Sequence, residues 1–69
     1  MGANSEFGEI LRELRTSRGI GQVMLAEKIG VSKGIISFWE NGLREPSMSN
    51  LIALAKFFEV SIDELVGLK

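Results

Sequence analysis

The chain of 69 residues has no cysteine, no histidine, no tyrosine and a single proline. Without Cys and His it has no disulfides, no thiolate nucleophile, no Ser-His or Cys-His catalysis and none of the common zinc sites. A domain this small must then be held by efficient packing alone, without a covalent or metal staple. No apolar run approaches the roughly 20 residues that span a bilayer, and the N-terminus lacks the apolar core of a signal peptide. Cytoplasmic residence and no membrane partner are the expectation. There is no glycine-rich phosphate loop and no nucleophile–base pair, so no enzyme activity and no cofactor are expected. Net charge is also scarce, at −1, where nucleic-acid-binding domains usually carry a basic footprint.

What is present is helical periodicity punctuated by glycine, with 45% hydrophobic and 25% charged residues in keeping with one folded domain. Residues 1–4 are set aside as a flexible N-terminus or a cloning remnant, and the domain is assigned to residues 5–69. Phe7, Ile10, Leu11 and Leu14 predict a first helix from about Ser5 to Arg18, ended by Gly19. Leu25, Ala26 and Ile29 predict a short second helix from Gln22, ended by Gly30. Ile35, Ile36 and Trp39 predict a third, begun by Ser32 and stopped before Gly42. Leu51, Leu54, Ala55 and Phe58 predict a fourth after Ser47. Ile62, Leu65 and Val66 predict a last short one after Ser61. No stretch alternates with period two for long enough to make a strand, so the fold class is all-α.

The helix starts share a design. Apolar residues flank the cap so that the residue before it meets the fourth helical residue: Ile20 with Leu25 around Gly21, Val31 with Ile36 around Ser32, Val60 with Leu65 around Ser61. Ser61 and Glu64 also have capping-box spacing. Charge is unevenly placed. Lys28, Lys33 and Arg44 outnumber Glu27 and Glu40 in the middle of the chain, while acid collects at the end in Glu59, Asp63 and Glu64. These carboxylates suit helix N-termini better than a metal, because no converging loop ligands accompany them. Met24 and Met48 read as gap-fillers, Trp39 as core, and Arg12, Arg18 and Lys28 as solvated helix faces, with phosphate contact the lesser alternative for these three. Gly34 is the odd residue. It stands inside the third helix, where glycine costs roughly 1 kcal/mol against alanine; either it has drifted in, or it permits close approach of the backbone to a ligand.

The second and third helices joined by the corner "IGVS" make a helix-turn-helix pattern. The pieces "LRELR", "GIGQ", "LAEKIGVS", "IISFWENG", "EPS" and "LIALAKFFEVSIDEL" follow one another between Leu11 and Gly67. Together they resemble the Cro/cI-like (lambda-repressor-like, XRE) helix-turn-helix family. The resemblance implies a compact five-helix domain that binds double-stranded DNA with its third helix in the major groove. It also implies a prokaryotic or phage transcriptional regulator, a repressor, working as a weak dimer on paired half-sites. By the same resemblance Gln22 contacts a phosphate and braces the third helix. Ser32, Lys33, Gly34, Ser37 and Phe38 lie at the start of that helix and along its base-facing positions. Asn41 meets the phosphate backbone, Arg44 lies in the loop beyond, and Arg15 with Glu40 forms a structural ion pair.

Departures from the family pattern matter. Gly21 stands where Ser, Thr or Asn usually caps the second helix. Gly34 and Phe38 replace the polar or long side chains that make bidentate base contacts, which leaves Lys33 and Ser37 to hydrogen-bond and makes direct readout sparse. Phe38 suits a thymine methyl or a protein partner. A protein-interaction module that keeps the fold is therefore the alternative, favoured by the low charge and Phe38. Gln22, Asn41 and the intact corner favour DNA. The closing "LVGLK" offers a small apolar patch for a second copy, with Leu65 itself read as core.

Overall fold

Three of the five helices begin at a serine whose hydroxyl accepts from an amide of the first turn, which helps such short elements hold their ends. In the computed structural model, described for the backbone of residues 3–68 and for side chains from Glu6 to Leu68, the five helices are α1 (Ala3–Ser17), α2 (Gln22–Ile29), α3 (Lys33–Glu40), α4 (Met48–Phe58) and α5 (Ile62–Val66). Ser32 Oγ accepts from the Ile35 amide and Ser47 Oγ from the Asn50 amide, both at 3.2 Å. The Ser61–Glu64 capping box is complete, with its two reciprocal bonds at 3.0 Å. Gly21 is extended and supplies no side-chain cap, so α2 begins with the weaker start its sequence predicts. α1 begins at Ala3, two residues before the expected Ser5, and Met1 and Gly2 of the set-aside N-terminus lie outside the described residues.

The core lies where the helical faces converge. Leu11, Leu25, Ile36, Leu54, Phe58 and Leu65 are fully buried, with Trp39 and Phe7 nearly so. The flanking Ile20, Val31 and Val60 pack against this core, as the apolar pairs around each cap require. Phe7 meets Trp39 edge to face, with ring centroids 6.4 Å apart. α1 packs on α3 and α5, α2 on α3 and α4, and α4 on α5. All described elements are helices, as the period demands.

Two features of this packing were not readable in the sequence. Gly8, buried in the middle of α1, lies against the C-terminal end of α3. A Cβ there would stand 2.5 Å from the Trp39 carbonyl oxygen and 2.6 Å from that of Glu40. Glycine is what lets the two helix backbones meet. Secondly, α4 ends without glycine. Glu59 itself takes the left-handed conformation, at φ 60° and ψ 44°, a state that non-glycine residues adopt rarely.

Several side chains depart from the expectation set by periodicity alone. Met24 and Met48 are exposed and fill no gap. Arg18 is no free surface cation. Its Nη2 donates to the Phe58 carbonyl at 2.7 Å and its guanidinium lies 5.4 Å from the centre of the Phe58 ring. A positive charge on the last carbonyls of a helix also suits the helix dipole. Arg18 thus ties the end of α1 to the end of α4. Of the closing apolar residues, Leu65 is core, Val66 half-buried and Leu68 78% exposed.

Candidate nucleic-acid interface

The α2–α3 corner turns on Gly30, whose left-handed backbone (φ 85°, ψ 33°) is one that a side chain resists. The Gly30 and Val31 amides both donate back to the Ala26 carbonyl, at 2.8 and 3.0 Å. Those bonds close α2 and deliver the chain to Ser32, which caps α3. The helix then buries Ile36, Trp39 and Glu40. Residues 33, 34, 37, 38 and 41 occupy the other side, by the spacing of a helix.

Glu40 fixes how α3 sits. Its side chain is completely buried, and a buried carboxylate persists only if paired and hydrogen-bonded. Arg15 Nε donates to its Oε2 at 2.6 Å, Arg15 Nη2 to its Oε1 at 3.1 Å, and Gln22 Nε2 to Oε1 at 3.1 Å. Arg12 Nε adds a longer contact at 3.4 Å. Arg15 Nη1 also reaches the Ile20 carbonyl at 3.0 Å. One carboxylate therefore joins α1, the α1–α2 loop, the first residue of α2 and the end of α3. Burial pushes the Glu40 carboxyl upward. The bonds from Arg15 and Gln22, the Arg15 charge and the Arg12 bond outweigh it and hold the group below its ordinary range. The hydrogen bond to Glu40 in turn raises Arg15, against its own partial burial. Among the described residues no buried side-chain polar atom is left without a partner.

The outward side of α3 is chemically uneven. Lys33 and Gly34 are exposed, and around Gly34 the space is open, the nearest atom to a hypothetical Cβ being Ser32 Oγ at 3.8 Å. Nothing within the fold requires glycine there. Asn41 Nδ2 donates to the Ser37 carbonyl at 2.9 Å and lies 3.4 Å from Ser37 Oγ. Phe38 is 39% exposed, and the Arg44 guanidinium lies over its ring, 5.4 Å from the centroid. Of the residues expected to make up a site, Lys33, Gly34, Ser37, Phe38 and Asn41 share the exposed flank, and Arg44 folds back onto it. Ser32 is occupied as the cap. Gln22 is held from behind by Glu40.

Arg12 is exposed, as a solvated helix face should be, yet it reaches α3. Its Nη2 donates to Asn41 Oδ1 at 3.2 Å, so the exposed half of this side chain lies beside the end of α3. The available signal was its place three residues before Arg15, which puts both on one side of α1. Among the described residues no cluster of acidic side chains could hold a metal ion.

The helix-turn-helix family model matches residues 11–65. The HTH-type transcriptional activator BcrR of Enterococcus faecalis is 48% identical over 62 residues, covering 90% of this chain and 30% of that protein. The cryptic phage CTXphi transcriptional repressor RstR of Vibrio cholerae is 38% identical over 61 residues, covering 88% of this chain and 55% of the relative. The chain thus spans 30% to 55% of the length of these relatives. The crystal structure of the P22 c2 repressor with a synthetic operator superposes with a TM-score of 0.86 at 38% identity, covering 91% of this chain and 96% of the other. With the fold, the corner and the buried Glu40 brace all in place, the chain belongs to the Cro/cI-like (XRE) helix-turn-helix family.

Proposed function

We infer that the chain binds double-stranded DNA sequence-specifically, as the DNA-reading part of a bacterial or phage transcriptional regulator, with α3 in the major groove. The observation that carries this reading is the division of α3 into two flanks. Its inner flank is fixed by Glu40 and three donors, while Lys33, Gly34, Phe38 and Asn41 on its outer flank are exposed. Rigid presentation of one exposed helix is what groove reading requires.

In this reading the backbone amides at the start of α2, which no Gly21 side chain caps, are offered to a phosphate. Gln22, braced by Glu40, sits at the same end. Asn41, with Arg12 beside it, and Arg44 meet the backbone on the other side, and Lys33, Ser37 and Phe38 face base edges. Phosphate contacts position the domain and base contacts specify the sequence. Two copies on half-sites about one helical turn apart double the contact area. They form a weak dimer at least on DNA, to which exposed Leu68 and half-buried Val66 offer apolar surface. Occupancy of a promoter by itself represses, and repression is the sense we propose; activation needs a further contact with the transcription machinery. A DNA-bound regulator of this kind resides in the cytoplasm, and no helix among the described residues is long and apolar enough to cross a membrane.

Selection from a random duplex pool followed by gel shift tests the reading. Low salt should retain duplex, with a distinct sequence enriched. The cations at the face are Lys33, Arg44 and the exposed half of Arg12, with Arg18 now withdrawn to α4. Counterion release of about 0.9 per phosphate then sets the slope of log K against log salt near −2 to −3 per copy. No retained duplex at low salt overturns the reading in favour of a protein-interaction module, and a much steeper slope overturns the contact map.

A further inference from the structure

Resting on that reading, we propose that each half-site carries a thymine whose 5-methyl group stands against Phe38, so that an apolar contact supplies much of the direct base readout. The argument starts from what the outer flank of α3 holds. Gly34 offers no side chain and leaves open space around it. Ser37 and Asn41 already bond one another, through the Ser37 carbonyl and hydroxyl. Four residues after Gly34, and therefore one turn along the same flank, Phe38 keeps 39% of its surface exposed even with the Arg44 guanidinium over its ring. An aromatic ring displayed this way has no role in the core, which Ile36 and Trp39 complete.

The chemistry of the groove narrows the partner. In the major groove every base edge presents hydrogen-bond donors or acceptors, and the 5-methyl of thymine is the apolar group among them. A phenyl ring set against cytosine N4, adenine N6 or guanine O6 strips water from a polar atom and returns no bond, which is unfavourable. Against a thymine methyl it buries apolar surface on both sides. The missing side chain at Gly34 matters to the same contact, because α3 can settle deep enough for the ring to reach the methyl. Arg44 holds the ring from the loop side by a cation–π contact and limits its rotamers before DNA arrives.

The test uses duplexes selected by this chain. Each thymine is replaced singly by deoxyuridine, which deletes the methyl and leaves the pairing edge intact. One position per half-site should lose about fourfold in affinity, the worth of burying one methyl-sized group. Phe38→Ala should bind the thymine and uracil duplexes equally, and Phe38→Leu should keep part of the preference. Because Phe38 lies outside the core, thermal melts of both variants should match the parent, which separates lost readout from lost folding. A bound pool with no fixed thymine, or uracil duplexes that bind as well as thymine at every position, overturns the inference while leaving DNA binding intact. So does a Phe38→Ala protein that still prefers thymine. Failure to bind any duplex overturns instead the reading on which it rests.

Discussion

Replacing Gly8 with alanine tests the close approach of the α1 backbone to the end of α3. Helix propensity alone favours the change by about 1 kcal/mol, since alanine is the best helix former and glycine among the worst. Packing opposes it. The new Cβ would stand 2.5 Å from the Trp39 oxygen, 2.6 Å from the Glu40 oxygen and 2.9 Å from the Glu40 carbonyl carbon, where comfortable contact begins at about 3.5 Å. All three are backbone atoms of α3, and no rotamer change can move them aside. α1 and α3 must separate by about 1 Å, across an interface that also holds the 2.6 Å Arg15–Glu40 bond and the Phe7–Trp39 contact. Overpacking of this kind costs about 1–3 kcal/mol or more, and the rigid neighbours place it at or beyond the upper end. After the propensity gain, the net loss is about 2 kcal/mol, equivalent to a fall of roughly 10 °C in Tm for a domain of this size. Urea midpoints and thermal melts of Gly8→Ala and Gly34→Ala, measured beside the parent, should move in opposite directions. A Gly8→Ala protein as stable as the parent would refute the close approach of α1 to α3.

Arg15→Ala strands the fully buried Glu40 carboxylate with only Gln22 and the longer Arg12 contact, and should cost about 3–5 kcal/mol. Arg12→Ala removes a partner that is 51% exposed and 3.4 Å away, and should cost less than about 1 kcal/mol; coincident denaturant midpoints would contradict the brace. Glu40 should also mark the acid limb of stability. Because its folded pKa lies below the ordinary 4.5, its contribution is fully present above that value and is lost as pH falls through the folded one. Glu40→Gln should therefore be less stable than the parent at pH 7 and lose less on going to pH 3, and parallel pH profiles for the two proteins would sink the assignment. Gly34→Ala should gain up to about 1 kcal/mol while weakening specific DNA binding more than non-specific binding; a more stable variant that binds its selected duplex as well as the parent would reduce this glycine to an accident of drift.

Features of the fold set by neighbours in sequence were legible before any coordinates. The caps at Ser32, Ser47 and Ser61 and the turn at Gly30 act over three to five residues, and the structure has them where the pattern puts them, with the apolar residues flanking Gly21, Ser32 and Ser61 packed in or against the core. The buried faces of α2 to α5 follow from the 3.6-residue period for the same reason. The ion pair between Arg15 and Glu40 joins residues 25 apart and entered by family resemblance, since neither period nor composition pairs charges across such a separation. Only the tertiary structure showed that Arg12 bends toward Asn41, that Arg18 closes the end of α4, and that Glu59 takes the left-handed turn where a glycine was the natural expectation. It also divided the two helical glycines. Gly34 stands in open space, free of any duty to the fold, whereas Gly8 is held between α1 and the carbonyls of α3. Glycine looks the same in every helix of a sequence, and what distinguishes the two positions is a second backbone some 30 residues away, brought within contact distance only by folding.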